Sequence, residues 1–402
     1  MNTHASTPAS VFELTDRLKQ LPPYLYARID RIKQEEIKKG RKLNALGIGD
    51  PDLPTPNFII EKLAEASKHP SNHQYPPYEG ILEFRRAVAR WYLKRFGVTL
   101  DPEKEVLALI GSKEGIAHIP LAFVNPGEAT LVPDPGYPVY GTATSFAGGI
   151  PLYFQLRESN HYLPDFSELE AQVDKSHRQN QRVRLLFLNY PNNPTAATAS
   201  LEFFKKVVAF AHKHGIIVCH DNAYSELFFD GKKQPSFLEV PGAKEVGCEF
   251  HSLSKTFNMT GWRIGFAVGN AQVLEGLRQV KTNIDSGVFN ACQEAGIAAL
   301  DHSEPFCSEL RLIYQKRRDI LVPALLEAGL SCEKPEATFY VWAKLPQGVK
   351  SEDYVLDLIQ KKGIVATPGN GFGPAGEGYV RFTLCSDASL LKQVAQVLKS
   401  PV

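Results

Sequence analysis

No stretch of the 402-residue chain approaches the roughly 20 uninterrupted apolar residues that a membrane-spanning helix needs, which excludes a helical membrane protein. The opening residues, Met1 to Pro8, hold neither a basic nor an apolar segment, so no signal peptide is expected and a cytoplasmic location is. Charge of one sign is not in excess. Lys and Arg total 45 against 44 Asp and Glu, a net charge of +1, which argues against a nucleic-acid or membrane-surface partner and for a small, well-defined ligand. The six cysteines (Cys219, Cys248, Cys292, Cys307, Cys332 and Cys385) form no CxxC pair and no Cys/His metal spacing. The eleven histidines contain no HExxH. Free thiols are therefore expected, with neither a disulfide framework nor a metal. Internal repeats and low-complexity segments are also missing.

What remains is an ordinary globular composition long enough for a large core and a second, smaller domain. Strand and helix alternate through the middle of the chain. The spacing predicts strands at 106–110, 184–190, 216–220, 249–251 and 264–268. Between the second and third lies a helix from Leu201 to His214, capped by Ser200 and ended by Gly215. That crossover implies parallel strands, so the expected fold class is α/β, a mostly parallel sheet flanked by helices. Further on, a charged helix over 310–329, interrupted by Pro323, is followed by strands at 340–345, 364–366 and 379–384. A closing helix over 390–398 completes a smaller α/β domain. Near the N-terminus, 43–49 reads as a short strand.

The strongest chemical signal is Ser252-Leu253-Ser254-Lys255, with Gly261-Trp262-Arg263 beyond it. A lysine at a strand end can form an imine with an aldehyde cofactor, while the flanking hydroxyls and a guanidinium hold that cofactor's phosphate. Asp221 follows a buried strand, where a carboxylate is costly unless it meets a cation such as a protonated pyridine nitrogen. Tyr224 and Asn193 can reach the phenolic oxygen of the same ring. Asn193, Asp221 and Lys255 all fall at strand carboxyl ends, where open α/β sheets bind ligands.

Gly111-Ser112-Lys113 opens a helix and offers free N–H groups to a phosphate. Tyr137, in Pro-Asp-Pro-Gly-Tyr-Pro, can present a ring face to the cofactor or simply pack under its proline loop. The glycine-rich run 367–378 lacks the lysine and helix of a P-loop and reads as a turn into the strand that carries Arg381. That guanidinium suits a substrate α-carboxylate.

Taken as a set, Ser-Leu-Ser-Lys with Gly-Trp-Arg, Asn-Asn-Pro-Thr, Asp-Asn-Ala-Tyr and Val-Arg-Phe resemble class I/II aminotransferases of fold type I, from about residue 20 onward. The resemblance implies pyridoxal 5'-phosphate as cofactor and small amino-acid and 2-oxo-acid substrates. It also implies a homodimer with shared active sites. An arm and part of the small domain would occupy 1–48, the cofactor domain 49–290, and the rest of the small domain 291–402. Lys255 would anchor the cofactor and move the proton, Asp221 pair with the ring nitrogen, and Tyr224 and Asn193 meet the phenolic oxygen. Tyr137 would stack on the ring. Ser112, Lys113, Ser252, Ser254 and Arg263 would surround the phosphate, with Tyr75 reaching in from the other subunit.

Within that class, Gly-Ser-Lys-Glu-Gly-Ile-Ala-His, Asn-Ile-Asp-Ser-Gly-Val-Phe-Asn and Thr-Pro-Gly-Asn-Gly-Phe-Gly are most similar to LL-diaminopimelate aminotransferases. That likeness implies substrate contacts from Tyr24, Gly49, Lys113, Tyr137, Asn193, Asn290 and Arg381. Two positions depart from the pattern: Ala196 ends a Pro-Thr-Ala where Pro-Thr-Gly is usual, and Tyr78, with Glu79 beside it, stands where plant-type members place a glutamate. Bacterial alanine–glutamate aminotransferases share Pro-Thr-Ala and Gly-Ser-Lys-Glu-Gly and supply the second reading.

Overall fold

Seven strands form the central sheet: β1 (Val106–Leu109), β2 (Ala129–Asp134), β3 (Ile150–Gln155), β4 (Val183–Asn189), β5 (Ile217–Asp221), β6 (Gly247–Ser252) and β7 (Gly265–Gly269). The structure, a computed structural model, describes residues 12–19 and 26–399. The spatial order is β1-β7-β6-β5-β4-β2-β3. β7 runs antiparallel to both neighbours and the remaining pairs are parallel. Runs such as Leu185-Leu186-Phe187-Leu188 are buried on both faces, as strands between two helical layers must be.

The β4–helix–β5 crossover forms as its sequence implies. Ser200 accepts a hydrogen bond from the Phe203 N–H at 3.2 Å, and the helix Leu201–His214 buries Phe204, Val207, Val208 and Ala211. Gly215 ends it at a φ of 63°. The two strands pair in parallel with Leu185 opposite Ile217 and Asn189 opposite Asp221. Relative to expectation β5 lies one residue later, which makes Asp221 its last residue and fixes the carboxylate on a rigid element.

A second core gathers both ends of the chain. Asn44–Ala45 pairs with Ile364–Val365. Thr367–Pro368, Tyr379–Thr383 and Tyr340–Lys344 make a three-stranded antiparallel sheet. The helices Ser303–Glu327 and Ala388–Lys399 pack against each other over this core. The helix Asn290–Asp301 instead joins the large core through Ala295, Ala299 and Leu300.

Two expectations need correction. Pro323 does not interrupt its helix, which runs unbroken over Ser303–Glu327 because Leu321, Val322, Ala324 and Leu325 are all buried. Their burial offsets the roughly 3 kcal/mol an internal proline costs. The strand expected over 43–49 is only Asn44–Ala45. Beyond it the backbone leaves the ladder, because the Gly47 carbonyl is taken by Arg381 and Thr367 and the Gly49 carbonyl by Lys255.

Candidate active site

Lys255 sits on the four-residue helix Leu253–Thr256 that follows β6 directly. The Ser252 hydroxyl caps this turn, accepting from the Ser254 N–H at 3.3 Å, and Ser254 donates its own hydroxyl to the Met259 carbonyl. The turn aims the Lys255 Nζ at the Gly49 carbonyl, 3.0 Å away. Burial holds the amine pKa below the ordinary lysine value, with the fields of Cys385 and Asp50 opposing that shift. Gly49 is required sterically: a Cβ there would stand 2.1 Å from the Tyr340 hydroxyl.

Asp221 is 6% exposed. Its Oδ2 accepts from the Tyr140 hydroxyl at 2.9 Å, whereas Oδ1 is buried with no hydrogen-bond partner among the described residues. Burial pushes the carboxyl pKa up to about 6 against the opposing pull of Tyr140 and His220. The backbone is fixed from the neighbouring strand, where the Asn189 amide donates to the Asp221 carbonyl at 2.7 Å. An orphaned buried carboxylate oxygen is expensive unless a cationic N–H completes it.

A phosphate-sized anion has its counterpart at the same edge of the sheet. Gly111, at a φ of 106°, is the cap of the helix Ser112–Phe123. Arg263 lies against it so closely that a Cβ on Gly111 would meet the guanidinium at 2.6 Å. A Cβ on Gly265 would come within 3.1 Å of the Ser112 nitrogen, so glycine keeps β7 tight against this turn. Helix N–H groups and a guanidinium are thereby brought together.

Arg381 is 5% exposed and no surface ion pair. It donates to Asn193 Oδ1 at 2.6 Å and to the Gly47 carbonyl at 2.7 Å, while its Nε has no partner among the described residues. Its guanidinium carbon lies 4.2 Å from the Tyr340 ring centroid and 4.6 Å from that of Phe372, a sandwich that fixes the plane of the fork. The Tyr224 hydroxyl meets that of Tyr340 at 3.0 Å.

Lys113 is exposed, with Nζ 5.9 Å from the centre of the Tyr137 ring. Asn290 is buried at the start of its helix and accepts from the Gln293 amide at 3.4 Å. Tyr75 is 87% exposed. Tyr24 lies outside the described residues. Sequence reasoning missed Tyr140, Asn189, Tyr340 and Phe372. A second aromatic three residues after Tyr137 was the available signal for Tyr140. Nothing local marked Tyr340, which reaches the site from the other core.

A half-buried lysine, an orphaned aspartate oxygen, an anion cradle and a clamped arginine at one edge of this mixed sheet define a transaminase scaffold. The chain belongs to the family "Aminotransferase class I and II", whose model matches residues 41–398. It is 54% identical over 95% of its length to 97% of the LL-diaminopimelate aminotransferase of Nitratidesulfovibrio vulgaris. It is 52% identical over 97% of its length to 99% of the protein of that name from Aquifex aeolicus. Among solved structures, substrate-bound BacF from Bacillus subtilis superimposes with a TM-score of 0.90 at 38% identity, covering 96% of this chain and 98% of that one.

Proposed function

We propose that this protein moves an amino group between LL-2,6-diaminopimelate and 2-oxoglutarate, a step of lysine biosynthesis, as a cytoplasmic homodimer with pyridoxal 5'-phosphate at Lys255. The observation that carries the substrate is the likeness, over at least 95% of the chain, to relatives bearing the LL-diaminopimelate name. The cofactor reading is supported by Asp221 Oδ1, a buried acceptor lacking the N–H that a pyridine ring would bring. When bound, pyridoxal phosphate supplies the electron-accepting ring.

The residues of the chain do the rest. Asp221 would keep the ring nitrogen protonated, and Tyr224 and Asn193 would face the phenolic oxygen. Ser112, Lys113, Ser252, Ser254 and Arg263 would hold the phosphate, and Tyr137 would cover the ring. Lys255 takes the proton from the substrate Cα, helped by an amine pKa already lowered by burial. Arg381 grips the proximal α-carboxylate beside Gly49. Lys113, Asn290 and Tyr24 meet the second amino-carboxylate, which an alanine-specific pocket would lack. The outward projection of Tyr75 supports its use by a partner subunit. The joining of Asn44–Ala45 to Ile364–Val365 supports a small domain built from both chain ends.

The test is an amino-donor panel with 2-oxoglutarate as acceptor. LL-diaminopimelate is expected to give the highest kcat/KM among itself, alanine, aspartate and an aromatic amino acid. A preference for alanine would replace this reading with alanine–glutamate transfer, which the Pro-Thr-Ala ending at Ala196 favours.

A further inference from the structure

Lys281 lies on the helix Ala271–Ile284 with its side chain fully buried, a rare place for an ammonium. It is held between two carboxylates. Its Nζ is 3.2 Å from both oxygens of Glu114, and 2.9 and 3.0 Å from those of Asp285. Glu114, Asp285 and the nearby His118 have the spacing of a cation site, and Lys281 already supplies the cation between the carboxylates.

Both carboxylates also fix backbone. Glu114 is the third residue of the helix whose N-terminus forms the anion cradle. Its Oε2 reaches back to accept from the Ile110 N–H at 2.7 Å, closing the Ile110–Ser112 turn. Asp285 accepts from the Gly287 N–H at 2.7 Å, and Gly287 packs so tightly on Pro76 and Pro77 that a Cβ would come within 3.0 Å of each.

The electrostatic consequence concerns Glu114. A phosphate at Ser112 and Lys113 would lie within one helical turn of this carboxylate, in a buried setting where charges are poorly screened. Left uncompensated, the carboxylate would repel the anion and oppose the helix dipole that attracts it. Lys281 offsets one of the two negative charges that Glu114 and Asp285 bring here and holds the Glu114 side chain where it shapes the turn.

We propose that Lys281 is a positioning residue for the cofactor phosphate, acting through Glu114 on the charge and shape of the Ile110–Ser112 turn. This rests on the pyridoxal phosphate reading above. The test is the dissociation constant of pyridoxal 5'-phosphate, titrated by absorbance, for wild type and three variants, with circular dichroism to establish folding. Lys281→Met is expected to weaken binding by about tenfold or more, because one buried carboxylate loses its counter-charge.

Adding Glu114→Gln to Lys281→Met is expected to restore most of the affinity, since glutamine removes the charge and still accepts from Ile110. Loss of packing alone would not be rescued in this way. Glu114→Gln by itself is expected to bind at least as tightly as wild type. Unchanged affinity in folded Lys281→Met, no rescue in the double variant, or weakened binding in Glu114→Gln would each overturn the proposal. If Lys281→Met does not fold, Glu114→Gln alone decides. Failure of wild type to bind pyridoxal phosphate would instead overturn the cofactor reading.

Discussion

Tyr140 donates its hydroxyl to one oxygen of Asp221 at 2.9 Å, while the other is buried without a partner among the described residues. One oxygen is oriented by the protein and the second stays open to a hydrogen-bond donor. Keeping it open has a stability consequence in the cofactor-free protein. The folded-state pKa of Asp221 is raised from 3.8 to about 6, so the folded chain binds this proton more tightly than the unfolded chain does. The penalty is absent below about pH 4, grows as pH rises, and is complete above about pH 6.

Asp221→Asn is therefore expected to stabilise the cofactor-free protein above pH 6 by up to about 3 kcal/mol, a gain that vanishes as pH falls toward 4. Turnover should fall by several orders of magnitude, because a neutral amide cannot hold the ring protonated. Denaturant unfolding of both proteins from pH 4 to 8 checks the first part. A pH-independent difference would show that the orphaned oxygen is not the cause.

Gly49→Ala should act on Lys255 and Tyr340 together. The new methyl would overlap the Tyr340 hydroxyl, and relief requires moving either that ring or the loop whose carbonyl holds the lysine. A displacement near 1 Å costs about a hundredfold in turnover. Steady-state kinetics of Gly49→Ala within tenfold of wild type would contradict this geometry.

Ala196 occupies a left-handed conformation at a φ of 61° and is 7% exposed. Glycine would relieve roughly 1–2 kcal/mol of backbone cost. It would also lose a buried methyl and add unfolded-state entropy, which together roughly cancel the gain. Ala196→Gly is expected to shift stability by less than about 1 kcal/mol and to leave the donor preference unchanged. A swing between alanine and LL-diaminopimelate in this variant would make Ala196 a specificity determinant.

Arg381→Lys should weaken recognition of the α-carboxylate shared by every substrate. An ammonium cannot reproduce a planar fork held between Tyr340 and Phe372. The expected loss is about 2 kcal/mol, roughly thirtyfold in kcat/KM for donor and acceptor alike, with cofactor affinity nearly unchanged. A loss confined to one substrate would assign Arg381 to its distal group instead.

The parts of this molecule legible in the sequence are those whose signals are local. The Ser200 cap and Gly215 stop delimit a helix, and the parallel pairing of its flanking strands follows from the crossover. Lys255, Asp221 and Asn193 could be placed together because all three fall at strand carboxyl ends. The missed features depend on distant chain segments. Tyr340 reaches Gly49 and Tyr224 from a strand far along the chain, 116 residues beyond Tyr224, and Phe372 flanks Arg381 from a glycine-rich turn. Lys281 reads in sequence as one more charge on an amphipathic helix. Its burial depends on Glu114, 167 residues away.

The central claim is that one lysine amine, brought to the sheet edge by the Ser252–Ser254 turn, carries the chemistry. Borohydride reduction of the protein saturated with pyridoxal 5'-phosphate, followed by peptide mapping, tests it most directly. The pyridoxyl label is expected on Lys255 in wild type, with no label at that position in Lys255→Ala. A label on another lysine in wild type, or none despite saturation, would contradict it.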